Sequence, residues 1–318
     1  MFLLLVASFF ADLVRLIAAS SRRVTRRPPF DAQRRILLAR ATAVAGAAVA
    51  AGLSTVALHA ALEPVEVRRV RVRLGRLPPE QHGFRIAQLT DIHVGPTIGR
   101  TFVEEIVART NALAPDLIAI TGDLVDGSVA HLARAIEPLS GLRAPRGVFF
   151  VTGNHEYFSG AAAWTIELNR IGVRVLQNER ISIGNGPASF DLAGVEDRSA
   201  ARYGGPAPDE ALARVLRDRD PARELVLLAH QPKTFLEAEP YRVGLQLSGH
   251  THGGQMWPFN FVVRLQQPFI AGLHRRGDAQ IYVSRGTGYW GPPMRLGAPA
   301  EITEIVLESG RPATAAPA

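Results

Sequence analysis

Five times in this chain a short apolar run ends and a polar residue able to hold a metal follows at once. Phe84–Leu89 leads into Thr90-Asp91-Ile-His93, and Leu117–Thr121 into Gly122-Asp123-Leu-Val-Asp126. Gly147–Val151 leads into Gly153-Asn154-His155-Glu156, Leu225–Ala229 into His230, and Leu245–Leu247 into Ser248-Gly249-His250-Thr-His252. Brief apolar runs bounded by glycine and polar residues read as buried strands. Helical periodicity over 101–113 and 130–142 alternates with them, so the expected class is α/β. Further strands are expected at 65–74, where apolar residues alternate with arginine, and at 280–284 and 301–307. In open α/β sheets, ligands bind beyond the carboxyl ends of the strands. Side chains at five such ends can therefore converge although they are far apart in sequence.

The residue types at those ends narrow the chemistry. The chain has no cysteine, which excludes disulfides, thiolate metal sites and a cysteine nucleophile and leaves the redox compartment open. A metal must be held by His, Asp, Glu or Asn, which suits hard or borderline divalent ions. Asp91 and His93 are two residues apart and can face one side of an extended loop; His250 and His252 can do the same. Two ions about 3.5–4 Å apart need a shared ligand, and a carboxylate such as Asp123 has two oxygens to share. Each block has a plainer reading when taken alone. A lone His230 is more often a structural histidine, Gly153-Asn154 is a turn dipeptide, and Asp126 suits a helix cap as well as a partner for a ligand. The five blocks together outweigh those readings. His59, His82 and His131 have no such company and read as incidental, and His274 stays open.

The N-terminal region has a different texture. Residues 1–19 are apolar apart from Asp12 and Arg15, and 20–40 are dense in arginine. Residues 41–62 carry no charge over 22 positions, long enough to span a bilayer. Two readings compete. One is a retained transmembrane anchor with the arginines on the cytoplasmic side. The other is a cleaved export signal, for which Arg34-Arg35 resembles a twin-arginine motif and Leu58-His59-Ala60 a cleavage site. The apolar segment before them favours the anchor. Either way the globular part lies outside the cytoplasm, on a bacterial inner membrane. The expected division is 1–64 as membrane anchor or export region, 65–308 as the catalytic domain, and 309–318 as a disordered tail.

The net charge of +7 invites a nucleic-acid reading until it is mapped. Residues 1–79 hold 13 of the 36 basic residues and 4 of the 29 acidic ones, leaving 23 and 25 for the remainder. The basicity belongs to the N-terminal segment and not to the folded domain, so a nucleic-acid partner is not expected.

Taken in order, Asp-x-His, Gly-Asp-x-x-Asp, Gly-Asn-His-Glu, a later lone His and Gly-His-x-His resemble the calcineurin-like metallophosphoesterases, over about Phe84 to Leu307. The resemblance implies a four-layer α/β/β/α sandwich of two mixed sheets and a centre of two divalent ions, manganese, iron or zinc. It implies Asp91, His93, Asp123 and His252 around the first ion, and Asp123, Asn154, His230 and His250 around the second. His155 would be a catalytic group beside the phosphate and not a ligand. Asp126, three residues after the shared Asp123, is the second catalytic-site candidate, expected to orient His155 or another ligand. The later blocks His250-Thr-His252-Gly-Gly-Gln255, Tyr282-Val-Ser-Arg-Gly-Thr-Gly288 and Arg295-Leu-Gly-Ala-Pro-Ala-Glu301 resemble a bacterial membrane-associated or exported phosphodiesterase branch. The expected function is therefore hydrolysis of phosphodiester or pyrophosphate bonds, on a lipid-linked or cell-envelope substrate. The alternatives are a UDP-2,3-diacylglucosamine-type pyrophosphohydrolase of lipid A synthesis and a non-catalytic metal-binding module. Arg285, Trp290 and Arg295 are candidates for substrate contact, and nothing in the sequence fixes an oligomeric state.

Overall fold

The computed structural model describes residues 32–310. The apolar segment 2–19, most of the arginine-rich segment 20–40 and nearly all of the tail 309–318 lie outside the described residues.

The chain begins as one helix, α1 (Ala32–Leu62), which merges the last arginines with the uncharged stretch. Ile36–Leu62 is long and apolar enough to cross a membrane, and almost none of it is buried. Ala50, Ala57 and Ala61 are the exceptions, and these small side chains let the helix lie close to the domain.

Twelve strands form two six-stranded sheets among the described residues. The first runs β1 (Glu66–Leu74), β12 (Glu301–Ser309), β2 (Arg85–Leu89), β3 (Leu117–Ile120), β4 (Val148–Phe150), β5 (Arg174–Val175) in spatial order. The second runs β10 (Gly272–Arg276), β11 (Ala279–Val283), β9 (Leu245–Ser248), β8 (Leu225–Leu228), β7 (Ala188–Gly194), β6 (Glu179–Asn185). Both are mixed. β2 to β5 are parallel and β12 is antiparallel to β2, while β7, β8, β9 and β11 are parallel with antiparallel edges at β6 and β10.

The strand sequences show why the sheets stack. Ile86, Leu117, Ala119 and Phe149 of the first sheet pack against Phe190, Leu192, Val226, Leu228 and Leu247 of the second in one buried cluster. The alternate residues of the first sheet, Ala87, Leu89, Ile118 and Ile120, point the other way, because successive strand side chains face opposite sides. There they meet α2 (Arg100–Ala112), α3 (Val129–Ile136) and α5 (Ala161–Arg170), the last through buried Trp164 and Leu168. On the far side of the second sheet, Leu212, Val215 and Leu216 of α6 (Pro208–Leu216) cover Leu225 and Leu227. The result is the expected four layers. The helix expected over 130–142 is shorter: α3 ends at Ile136, and 137–141, which contains Pro138, continues as a 3-10 turn.

Buried polar side chains also join the two sheets, and Gln88 does so nearest the site. Gln88 is fully buried and donates from Nε2 to Thr121 Oγ1 at 2.9 Å and to the Ser248 carbonyl at 3.0 Å, tying the two sheets just below their carboxyl edges.

Candidate metal centre

All five polar blocks lie at one edge of the stack. Asp91 and Asp123 follow β2 and β3, and Asn154 opens α4 (Asn154–Ser159) just after β4. His230 follows β8, and His250 and His252 follow β9. Three compact donor groups result: Asp91, His93 and His252; His93, Asp123 and His155; and Asp123, His230 and His250, each with ligand atoms within 4.8 Å of one another.

The loops are not extended, as the two-residue spacing had suggested. Asp91, His93, Asp123, His250 and His252 have φ of 50°, 54°, 51°, 71° and 50°, in the left-handed region. Side chains that visit this region without glycine are mostly Asn, Asp and His, at a cost of about 1–3 kcal/mol each where the surroundings impose it. The tight turns aim each side chain back over the sheet edge. Gly249 and Gly153 make room for this: a Cβ on Gly249 would collide with the Asp91 carboxylate and Thr90 Oγ1, and one on Gly153 with the Asp123 carboxylate and amide.

The carboxylates are held by backbone amides. Asp91 accepts from His250 N at 2.9 and 3.0 Å, and Asp123 accepts from His155 N at 2.9 Å. Two pairs of ring nitrogens face each other, His93 Nε2 and His252 Nε2 at 3.0 Å, and His230 Nε2 and His250 Nδ1 at 3.2 Å. Such a pair shares one proton or yields both lone pairs to a cation. The buried Asn154 Oδ1 has no hydrogen-bond partner, the state of a carbonyl oxygen waiting for one. An all-oxygen-and-nitrogen donor set with an orphaned acceptor suits borderline divalent ions.

Electrostatics separate the histidines. Burial pushes the His250 imidazole down to about 3, with His230 adding to the effect. Burial, His93 and Arg295 hold His252 well below its ordinary value, so both rings are neutral. For His230 burial acts downward too, but Asp123 Oδ2 lies 3.1 Å from Nε2 and the net shift is well upward. Burial raises Asp123, yet His230 and its other imidazole neighbours outweigh that and keep it anionic. Asp91 is raised by burial.

Asp126 holds two of the histidines. Its Oδ1 lies 3.0 Å from His93 Nδ1 and 2.6 Å from His155 Nδ1, which leaves both Nε2 atoms facing the cluster. It does not cap a helix; the residue before α3 is Ser128. Burial alone would lower His155, but the bond to Asp126 and the Asp123 charge raise it.

Glu156, quoted in its block without a role, is the residue that the sequence reading missed. It is fully buried and accepts from the amides of Asp123, Leu124, Val125 and Gly153, locking the Asp123 turn to the start of α4. Burial and Asp123 push it up to about 7, against the pull of those amides. The signal was available: a Glu three residues after a helix N-cap reaches back to the cap amide.

The substrate-contact candidates divide. Trp290 is half exposed and lines the cavity over the cluster. Arg285 ion-pairs with Glu301 at 3.6 Å behind the site. Arg295 requires correction. It is fully buried, and its guanidinium is occupied by the carbonyls of Gly288, Ala298, Arg285 and Gly286, with His252 Nδ1 at 3.4 Å. It braces His252 from behind and has no free face for a substrate. His274 bonds locally, donating from Nε2 to the Ala271 carbonyl at 2.9 Å.

Residues 84–254 match the family model described as calcineurin-like phosphoesterase, and the chain belongs to that family. It is 33% identical over 246 residues to an uncharacterized metallophosphoesterase of Aquifex aeolicus, covering 77% of this chain and 92% of that one. It is 41% identical over 292 residues to a transmembrane protein with metallophosphoesterase domain of Bos taurus, covering 88% of this chain and 64% of that one. An uncharacterized metallophosphoesterase of Campylobacter jejuni is 37% identical over 254 residues, 79% of this chain and 65% of that one. The chain thus spans slightly less than two thirds of the length of the cattle and Campylobacter proteins.

Proposed function

We propose that this protein is a membrane-anchored, two-metal hydrolase of phosphodiester or pyrophosphate bonds, acting on a lipid-linked or cell-envelope substrate. The observation that carries the reading is the convergence of two carboxylates, five imidazoles and an unpartnered Asn154 oxygen at one edge of the sheet stack, with Asp123 and His93 each in two of the three donor groups. On this reading Asp91, His93, Asp123 and His252 hold one ion, and Asp123, Asn154, His230 and His250 the other. Divalent ions bound there would neutralise phosphate charge and acidify water for attack on phosphorus.

The chain's own residues supply the rest. Water adds its oxygen to phosphorus, the bond to the leaving oxygen breaks, and a proton must reach that oxygen. His155 sits at the rim with Nε2 turned inward and a raised affinity for a proton, which suits it to donate one. His155 also falls within a donor group of its own with His93 and Asp123. Its Nδ1 bond to Asp126 and its partial exposure favour the proton-donor role over ligation.

The orientation follows from charge. Arginines of segment 20–40 resist translocation, so α1 would carry residue 65 onward away from the cytoplasm on a bacterial inner membrane. A substrate of the cytoplasmic leaflet, such as the lipid A precursor, would need the opposite orientation. The purified full chain, loaded in turn with manganese, iron or zinc, should hydrolyse bis-p-nitrophenyl phosphate faster than p-nitrophenyl phosphate. Preference for the monoester refutes the diesterase reading, and no turnover with any metal refutes the enzyme. Reporter fusions after Leu62 and at the C-terminus test the orientation; alkaline phosphatase should be active at both.

A further inference from the structure

Beyond the donor cluster the cavity changes character. Its volume is about 570 Å³, and its outer wall is mostly apolar, with Met256, Phe259, Val262, Val263, Trp290 and Pro292 beside Gln266 and Gln267. That wall is made by the loop after His252, the short helix α8 (Asn260–Gln266) and, at Trp290 and Pro292, the segment between β11 and β12. The outer face of α8 is apolar too, and nothing among the described residues covers it. Leu265 is 86% exposed and Phe261 57%, with Trp257 beside them. Neither α8 nor the loop from 253 to 259 carries an acid; Arg264 is exposed on the helix.

The position of α1 says what covers this face. The Arg295 amide donates to the Ala57 carbonyl at 2.8 Å, and Leu53 lines a small cavity together with Trp257, Asn260 and Leu296. A bilayer core of about 30 Å takes about 20 helical residues. The candidate span Ile36–Leu62 is longer than that, and a window of about 20 residues opening at Ile36 closes near Thr55, just beyond Leu53, with Arg40 able to reach the inner headgroups. With that span the domain loop packed beside Leu53 lies at the outward boundary of the membrane. Aromatic residues and a long basic side chain are the types that settle there, rings in the interface and charge toward phosphate.

We infer that α8 and the loop before it, with Trp257, Phe261 and Leu265 at the tip, form a lip immersed in the membrane surface. The cavity behind the lip takes the acyl portion of a phosphoester lipid drawn directly from the bilayer. The substrate class rests on the hydrolase reading above; the immersion of the lip does not. The apolar wall on one side and the donor cluster on the other match a molecule with its phosphorus next to a hydrocarbon chain. The outward face of α8 is one surface of the same lip, so the lipid reaches the cavity without crossing water.

The full chain is reconstituted in vesicles of phosphatidylcholine and phosphatidylglycerol whose acyl chains are brominated near the headgroup end. Bromine should quench tryptophan emission, and in a Trp290→Phe background Trp257→Phe should remove most of the quenched component, because the remaining Trp164 is buried in the core. The double variant Phe261→Ser/Leu265→Ser changes only exposed side chains. It should lower hydrolysis of a vesicle-borne p-nitrophenyl ester of phosphatidic acid at least about tenfold, as expected when large apolar side chains lose a nonpolar phase. Hydrolysis of soluble bis-p-nitrophenyl phosphate, which has the same leaving group, should stay within about twofold. Unquenched Trp257 overturns the lip. So does equal loss on both substrates, or a detergent-solubilised dimer that the double variant dissociates, which would make this face a contact between two copies. Absence of turnover on the soluble diester by the wild type would refute the hydrolase reading instead, and quenching would still decide the lip.

Discussion

Replacing Asp126 by Asn tests how the cluster is held together. One oxygen, Oδ1, serves both His93 Nδ1 and His155 Nδ1, and Asn keeps that oxygen while removing the charge. Hydrogen bonds to a charged partner contribute about 1.5–3 kcal/mol and neutral ones about 0.5–1.5, so each bond weakens by about 1–1.5 kcal/mol. Two bonds give about 2–3 kcal/mol, an upper figure because the Asp126 side chain is partly exposed. At about 1.4 kcal/mol per tenfold, kcat should fall about 10–100-fold at saturating metal, the usual range for groups that orient ligands. The pH profile adds a sign. The Asp126 bond is the largest of the interactions that raise the His155 pKa, so Asp126→Asn lowers it. If protonated His155 is the acid, activity is lost as pH rises through that pKa, and the basic limb of kcat must move to lower pH. The assay is kcat against pH on a diester with a poor leaving group, beside a metal titration. Unchanged kcat, an unmoved basic limb and wild-type metal affinity together would refute the argument.

Asp123→Asn should reduce the content of both ions, because in the proposed assignment Asp123 is the ligand common to both and its carboxylate lies within reach of His93 and of His230 and His250; metal analysis of the purified variant checks this. His155→Ala should lower kcat about 10²–10⁴-fold with metal content near wild type, whereas loss of an ion would make His155 a ligand. Binding of metal to the apo protein near neutral pH should release protons, since His230 is held protonated by Asp123 and must give up that proton; calorimetry in buffers of different ionisation enthalpy measures it. Arg295→Met should destabilise the fold by about 2–4 kcal/mol, because it leaves several buried carbonyls without their donor, and thermal denaturation should show it whether or not substrate is present.

The strand-end blocks were legible because two signals coincided in each, a buried apolar run and a polar residue placed where parallel strands present ligands. That the polar blocks would gather at one edge followed from the first, and which sheet each strand joined did not. β5 is two residues long, and the β6–β7 hairpin lacks clean alternation, so neither stood out. The left-handed φ at Asp91 and His252 was hidden because the residue types permit that conformation without demanding it. Arg295 misled for a different reason. An arginine near a phosphate site reads as a phosphate contact, and only its burial among carbonyls reveals the brace. α8 was invisible at seven residues, too short for periodicity to show.

The cluster draws on both sheets, and this fixes when it can exist. His93 and His252 face each other across 159 positions of chain, with Asp123 and Asn154 on the earlier side and His230 and His250 on the later. A nascent chain that has completed only the first block of strands carries Asp91, His93, Asp123 and Asn154 and lacks every later histidine. Drawing such distant positions together is an entropic cost that the folded second sheet must already have met. Metal uptake is then a terminal event in the life of the chain. A truncated or half-assembled protein is colourless to metal probes, and occupancy of the centre serves as a certificate that both sheets are finished and in register.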